Sequence, residues 1–350
     1  MNVLHITAHL GAGAGKAIGG LAISDKKNHH KIVLLCEPQK TNHIEKCKNN
    51  GVEVVLLNDI NYTEYELWAD VIIYNWWGHK TLDRFIEQHS LNREKSVLWA
   101  HVNGAYTPKP SEELLDTFDR YMVTSQFSID AGVFDSKKTT LIYGFGDFEA
   151  EKIGPKSYYD TSVGVFTIGY VGSQDYQKLS PDFVEYCTKV IKKVPTVKFV
   201  LVGETNKQLV NAIESKGLTE YFDFKGWTDN VYECLHSFDV FAYPMNKNTF
   251  ATTENVILEA MACGLPMAIS RYPLGKYQLV DGESGFLFDT PDEYADIIYQ
   301  LYTNKHLREA VGQKAREYAI DKYSLTDNIG KFNAKLNEVA EAANLKEKYI

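Results

Sequence analysis

The chain has 350 residues, 44% of them hydrophobic and 24% charged, with a formal net charge of −9. Such a composition excludes a disordered or fibrous chain, and the acidic balance disfavours non-specific binding to nucleic acid. The length is generous for one core and predicts two domains.

In chain order, the opening "MNVLHITAHLGAG" reads as a short strand entering a Gly-rich turn, without the basic start or long apolar core of a signal peptide. No apolar stretch approaches the ~20 residues that cross a bilayer. The first half then alternates apolar runs at 2–7, 31–36, 52–57, 70–77, 96–102, 121–125 and 139–144 with amphipathic stretches near 16–25, 41–50, 80–90 and 111–119. Strand–helix alternation of this kind predicts a parallel sheet covered on both faces.

Within this half, "HLGAGAGKAIGG" (9–20) is a Gly-rich turn that lacks the dinucleotide fingerprint in its usual register. Tight strand–helix packing is its ordinary explanation. "NHH" (28–30) reads as a solvated loop. His101 stands at a strand end, where functional residues of such sheets gather. "YNWWGH" ends another strand with Asn75, Trp76, Trp77 and His79, aromatic faces suited either to sugar stacking or to packing. Tyr106, Thr124 and Ser125 are further candidates near strand ends.

The stretch 148–164 is polar, with Gly, Pro and Ser, and reads as a linker. Alternation restarts with strands at 165–173, 197–204, 221–227, 239–245, 266–272 and 284–289, separated by helices at 180–193, 205–216, 229–236 and 254–263. The remainder, 291–348, is helical in pattern. Two doubly wound α/β domains of similar size are expected, 1–148 and 149–330, facing each other across a cleft.

The helix in "ATTENVILEAMACGLP" (251–266) is the most informative segment. Thr252 or Thr253 can cap it, and Gly264 with Pro266 ends it. Its first turn presents free N–H groups and a positive dipole end, a ready phosphate site. Glu259 sits in an apolar run, where an unpaired carboxylate is costly. It either grips vicinal hydroxyls such as those of a ribose or lies on an exposed helix edge.

The order and spacing of these segments resemble GT4-type retaining glycosyltransferases of GT-B fold. "ENVILEAMACGLPMAIS" is similar to their donor-nucleotide helix, and "FDFKGWTDNVYECLHSFDVFAYPM" (222–245) to the run before it. "IGYVGSQDYQK" (168–178) is similar to their Gly-Arg-x4-Lys loop. "LVDGESGFLFDTPDEYADIIYQLYTN" and "LREAVGQKAREYAIDKYS" match their C-terminal segments. The likeness covers about 165–330 well and the first half more loosely.

Carried over residue by residue, the resemblance implies that Lys178 neutralises a donor diphosphate and that Glu259 binds ribose. It departs at two places. Ser173 stands where the family has Arg, and Ala251 where it has the sugar-contacting first Glu of Glu-x7-Glu. Glu254 is nearby and within reach of a sugar hydroxyl. The amides at Thr252, Thr253, Glu254 and Asn255 would cradle phosphate and sugar. Gly13, Gly15 and Lys16 would let donor and acceptor approach the backbone, and His101 would lie close to the donor sugar. Gly172, Gly203, Lys225 and Gly226, at strand ends, would border the nucleotide, with backbone around 224–226 reading the base edge. The resemblance also implies that a helix from about 331 to 350 returns to the N-terminal domain.

The expected activity is transfer of a sugar, with retention, from a UDP- or GDP-sugar to a glycan or lipid-linked acceptor. A sugar-nucleotide binding protein without activity is the alternative that Ser173 and Ala251 support, and a dinucleotide oxidoreductase ranks last. HExxH, Asp-x-Asp and Cys/His clusters are absent, so no metal or cofactor is expected, and charge stabilisation falls to Lys178, helix dipole and amides. Five scattered cysteines without a CxxC pair predict a reduced cytoplasmic protein. Many relatives work at membrane surfaces, so peripheral association at the inner membrane surface is a further expectation, one that the acidic charge does not support.

Overall fold

The computed structural model describes residues 1–38, 41–146, 148–158, 164–228 and 230–347. The chain divides into two compact units, Met1–Phe148 with Leu325–Ile350, and Glu149–Ser324.

In the first unit the elements run β1 (Asn2–Thr7), α1 (Ala12–Ser24), β2 (His29–Leu34), α2 (Asn42–Asn49), β3 (Glu53–Leu56), α3 (Tyr62–Trp68) and β4 (Val71–Trp76). They continue with α4 (Lys80–Gln88), β5 (Ser96–Ala100), α5 (Glu112–Thr117), β6 (Tyr121–Val123), α6 (Gln126–Asp130) and β7 (Thr139–Leu141). All strand pairs are parallel, in the order β3-β2-β1-β4-β5-β6-β7. The central strands are fully buried: β4, "VIIYNW", and β5, "SVLWA", have no exposed residue. Continuous apolar runs are what a sheet covered on both faces requires.

The second unit contains β8 (Phe166–Val171), α7 (Phe183–Lys193), β9 (Val197–Val202), α8 (Lys207–Ser215), β10 (Phe222–Gly226), α9 (Val231–Ser237) and β11 (Val240–Tyr243). After these come α10 (Asn255–Ala262), β12 (Met267–Ser270), α11 (Lys276–Gln278), β13 (Phe286–Phe288), α12 (Pro291–Thr303) and α13 (Lys305–Lys322). Its parallel sheet has the order β10-β9-β8-β11-β12-β13. Local chemistry marks the helix starts: the Thr290 side chain caps α12 with Pro291 in the first turn, and Asn304 caps α13.

In both sheets the chain begins in the middle, winds to one edge, then returns and winds to the other. The reversal falls between β1 and β4 in one unit and between β8 and β11 in the other. Ligands of such sheets bind beyond the strand C-termini at that reversal.

The last helix, α14 (Leu325–Glu347), belongs to the first unit and starts at Leu325 rather than near 331. Its Phe332, Leu336 and Val339 are fully buried in one core cluster with Val3, Val71, Ile73, Val97 and Trp99. The Asn328 amide accepts from Tyr143 N at 2.8 Å and donates to Tyr143 O at 3.1 Å.

Several expectations need correction. The Gly-rich stretch 9–20 is no turn: helix begins at Ala12, so Gly13, Gly15 and Lys16 are helical. "NHH" is no solvated loop, because β2 already starts at His29. His30 is buried, with Nε2 3.1 Å from Asp25 and Nδ1 3.0 Å from His5 Nε2, and Asn333 of α14 donates to Asp25 at 3.3 Å. Polar residues read as solvated are here a buried network, each hydrogen bond offsetting desolvation. Helices α3 and α6 were not expected from the pattern. Residues 159–163 of the expected linker, residue 229 of an expected helix and 348–350 of the expected tail lie outside the described residues.

Candidate functional site

At the reversal in the second unit, the ends of β8, β9 and β10 carry Gly172, Gly203 and Gly226, all with positive φ (153°, 135° and 67°). Gly172 N donates to Val202 O at 3.0 Å, and Gly203 N to Gly226 O at 2.7 Å. A Cβ on Gly203 would lie 2.2 Å from the Gly172 carbonyl oxygen. At Gly203 glycine is needed because bare backbone packs on bare backbone.

The loop after β8 brings Lys178 to the start of α10. Its Nζ lies 3.1 and 3.0 Å from the two carboxylate oxygens of Glu254, and 5.8 Å from the centroid of the Phe250 ring. The Tyr243 hydroxyl, at the end of β11, donates to Glu254 Oε2 at 2.9 Å. Tyr170 stacks on Tyr243 with centroids 5.0 Å apart and donates to Ser173 O at 2.6 Å. Burial first, then the Glu254 charge, pushes the Tyr243 phenol far above its ordinary value, so it remains a donor. Asn246 N donates to Lys178 O at 2.7 Å and Asn246 Nδ2 to Tyr176 O at 2.6 Å, which lace the Lys178 loop to the loop before α10.

Glu254, not Thr252 or Thr253, is the N-cap residue of α10, and its side chain makes no capping hydrogen bond. The chain stays extended through Glu254, and the carboxylate that stands at the cap is drawn to Lys178 instead. Asn255 opens the helix. Glu259 is buried, at 5% exposure, among Ile257, Leu258, Ala260 and Met261; the exposed-edge alternative does not hold. Gly264, at φ 73°, closes the helix, with Gly264 N donating to Met261 O and Leu265 N to Ala260 O. Lys225 is exposed and pairs with Asp223 at 2.7 Å.

Sequence reasoning missed Gln278. It is buried, donates to Glu254 O at 3.4 Å, and its Oε1 has no hydrogen-bond partner among the described residues. Its signal was weak, since one Gln in a short helix looks like any surface residue.

At the reversal in the first unit, His9, Trp77, His79 and His101 cluster beyond β1, β4 and β5. His9 lies 5.4 Å from both Trp77 and His79 by ring centroids, and Trp77 lies 6.2 Å from His101. His101 Nε2 is 3.0 Å from Asn75 Oδ1. The Asn75 amide nitrogen donates to Ile6 O and Ile73 O, both at 3.2 Å, so Oδ1 must accept. His101 therefore carries its proton on Nε2 and presents a bare Nδ1. Burial holds its pKa down, to about 3.

His9 was not singled out from sequence, although it follows β1 just before the Gly-rich helix and its Nδ1 accepts from Gly11 N at 3.0 Å. Gly15 lets that helix start closely, since a Cβ there would lie 2.2 Å from Leu10 O, whereas Gly13 faces open space and Lys16 follows on the same helix. Trp76, Thr124, Ser125 and Tyr106 have partners within the first unit. Trp76 is core, donating to Asp83 at 3.0 Å. Thr124 is buried, and Ser125 caps α6 by accepting from Phe127 N at 3.1 Å. Tyr106 stacks on Phe127 at 6.3 Å.

Residues 165–304 match the family model described as glycosyl transferases group 1. Among curated proteins, a poly(ribitol-phosphate) alpha-N-acetylglucosaminyltransferase of Staphylococcus aureus is 26% identical over 193 residues, 54% of this chain and 38% of that protein. An N-acetyl-alpha-D-glucosaminyl L-malate synthase of Bacillus anthracis is 26% identical over 196 residues, 54% of this chain and 50% of that one. The chain thus matches half or less of the length of these relatives. Among solved structures, Anabaena HepE in complex with UDP and glucose superposes with a TM-score of 0.76 at 17% identity, covering 97% of this chain and all of that one. Sucrose-phosphate synthase from Thermosynechococcus elongatus gives 0.71 at 15% identity, over 98% of this chain and 100% of that one. At such identities the structural likeness establishes the fold, which is GT-B.

Proposed function

Because residues 165–304 carry a group 1 glycosyltransferase domain on a chain of GT-B fold, we propose that this protein is a retaining glycosyltransferase acting on a nucleotide-diphosphate sugar. The observation that carries the reading is the convergence of Lys178, Glu254 and the start of α10 at the chain reversal of the second sheet. A cation beside a helix N-terminus suits a diphosphate. The nucleotide would be a uridine one, since HepE was solved with UDP; GDP-sugars are the alternative to titrate against it.

In this reading Gly172, Gly203 and Gly226 give the nucleoside a floor of bare backbone. Thr252, Thr253 and Asn255 offer amides to phosphate, and Glu259 accepts from the ribose hydroxyls. Lys225 and Ser173 border the nucleotide. The acceptor oxygen bonds to the anomeric carbon as the bond from that carbon to the phosphate oxygen breaks. The acceptor proton passes to the leaving diphosphate, on the face it departs from, so configuration is kept. Lys178 and the helix dipole stabilise the charge that grows on the leaving group. Neutral His101 accepts a sugar hydroxyl at Nδ1, and Gly13, Gly15 and Lys16 border the acceptor side. The acceptor is a glycan, a lipid-linked sugar or another hydroxyl compound, met in the cytoplasm or at the inner membrane surface. No helix among the described residues is long and apolar enough to cross a membrane.

Calorimetric titration with UDP tests this reading. Glu259→Ala should weaken binding by about 1–3 kcal/mol. Lys178→Ala should depress turnover of a UDP-sugar more than it loosens uridine. Unchanged UDP affinity in Glu259→Ala contradicts the assignment. A wild-type protein that binds UDP-sugars, yet neither hydrolyses nor transfers them with any acceptor, is a binding protein instead.

A further inference from the structure

The corner between β8, β11 and α10 already holds an anion, and that anion is part of the chain. Glu254 stands at the N-cap of α10, yet its carboxylate leaves the helix and lies 3.1 and 3.0 Å by its two oxygens from Lys178 Nζ. The Tyr243 hydroxyl donates to the same carboxylate at 2.9 Å. The side chains of Lys178 and Glu254 are 24% and 12% exposed, so the pair is largely withdrawn from solvent. An ammonium from one loop, a phenol from a strand end and a helix start thus converge on one oxyanion. A phosphate oxygen makes the same demand for donors and brings more charge.

We propose that Glu254 competes with the pyrophosphate of this site's ligand: its carboxylate occupies the Lys178 anion position until a donor phosphate displaces it. The inference rests on the nucleotide-sugar reading and names the group against which phosphate competes. A nucleoside has no charge with which to displace the carboxylate, and gains nothing at Lys178. A diphosphate gains the lysine only by breaking the internal pair. Glu254 therefore lowers affinity for every phosphorylated ligand and leaves nucleoside contacts alone.

The surroundings fit an exchange made by the side chain. Gln278 donates to the Glu254 main-chain oxygen at 3.4 Å, and Ile257 N donates to the same oxygen at 3.0 Å. The backbone is held, so the exchange needs only the side chain to rotate. The Tyr243 hydroxyl, held by the stacked Tyr170 ring, favours the resting position of the carboxylate over the displaced one.

The test is calorimetry with UDP and with uridine on the full chain, as wild type, Glu254→Gln and Tyr243→Phe. Glutamine keeps the shape and an acceptor for Tyr243 but removes the charge. UDP should bind Glu254→Gln about fivefold more tightly than wild type, the equivalent of a partly exposed ion pair no longer broken on binding. Tyr243→Phe, which removes one donor from the carboxylate, should tighten UDP by about threefold. Uridine should bind all three alike, an outcome that a general distortion of the site would not give. If wild type binds UDP and Glu254→Gln binds it equally or more weakly, the exchange is wrong while the nucleotide reading stands. If wild type binds none of UDP, GDP and ADP, both fall. Should Glu254→Gln not fold, Tyr243→Phe carries the same comparison, and an unchanged UDP affinity there overturns the exchange.

Discussion

Asn75 decides where His101 keeps its proton, and burial decides that the ring stays neutral. The pKa of His101 is pushed from the ordinary value of 6.5 to about 3 by burial. The folded chain then binds this proton less readily than the unfolded one. The stability this represents is complete above about pH 6.5 and is lost as pH falls from 6.5 toward 3. Wild type should therefore melt at progressively lower temperature between pH 7 and pH 4.5, and His101→Gln should flatten that slope. Parallel slopes in the two proteins would show that His101 is not the group responsible. Catalysis that uses a neutral ring should likewise show no loss from His101 protonation down to about pH 5. The sequence placed His101 at a strand end, but its tautomer depends on Asn75, whose carbonyl is fixed by Ile6 and Ile73 on two different strands.

Among elements, the glycine ends of β8 and β9 show how closely backbone approaches backbone. Gly203 holds φ at 135°, and a Cβ there would meet the Gly172 carbonyl oxygen at 2.2 Å. Backbone cannot step aside as a flexible side chain can. Gly203→Ala should cost about 1–3 kcal/mol of stability and weaken UDP as the strand ends part. A thermal melt and a titration check both, and an alanine variant that melts and binds like wild type would refute the packing argument. Helix α10 teaches a related lesson. Its end at Gly264 was legible, because an αL residue favours glycine whatever surrounds it. Its start was not: either Thr252 or Thr253 satisfies the local rule, yet the helix begins after Glu254, whose carboxylate answers to a lysine 76 positions earlier in the chain.

For the molecule as a whole, the first unit closes only with the end of the chain. Phe332, Leu336 and Val339 of α14 are fully buried in its core. Burying such side chains is worth about 1.5–3 kcal/mol each, a sum comparable with the ~5–15 kcal/mol that stabilises a whole domain. Removing residues 325–350 should therefore unfold the first unit while leaving the second folded. Tryptophan emission reports this directly, because Trp76 and Trp99 are buried in the first unit whereas Trp227 of the second is exposed. A truncated chain whose emission keeps its wild-type maximum would show that α14 is dispensable.

The sequence alone determined the two parallel sheets, their alternation with helices and the resemblance of about 165–330 to group 1 glycosyltransferases, because these depend on apolar periodicity and glycine placement, which are local. It also brought Lys178, Glu254 and Glu259 into view. Only the tertiary structure decided that Lys178 and Glu254 face each other, that His30 is buried against Asp25 and His5, and that His9 joins Trp77 and His79. Each of those pairings joins segments that are remote or separately read in the chain. A polar side chain's partner, and so its charge and proton, is chosen by what folding sets beside it once water has been removed.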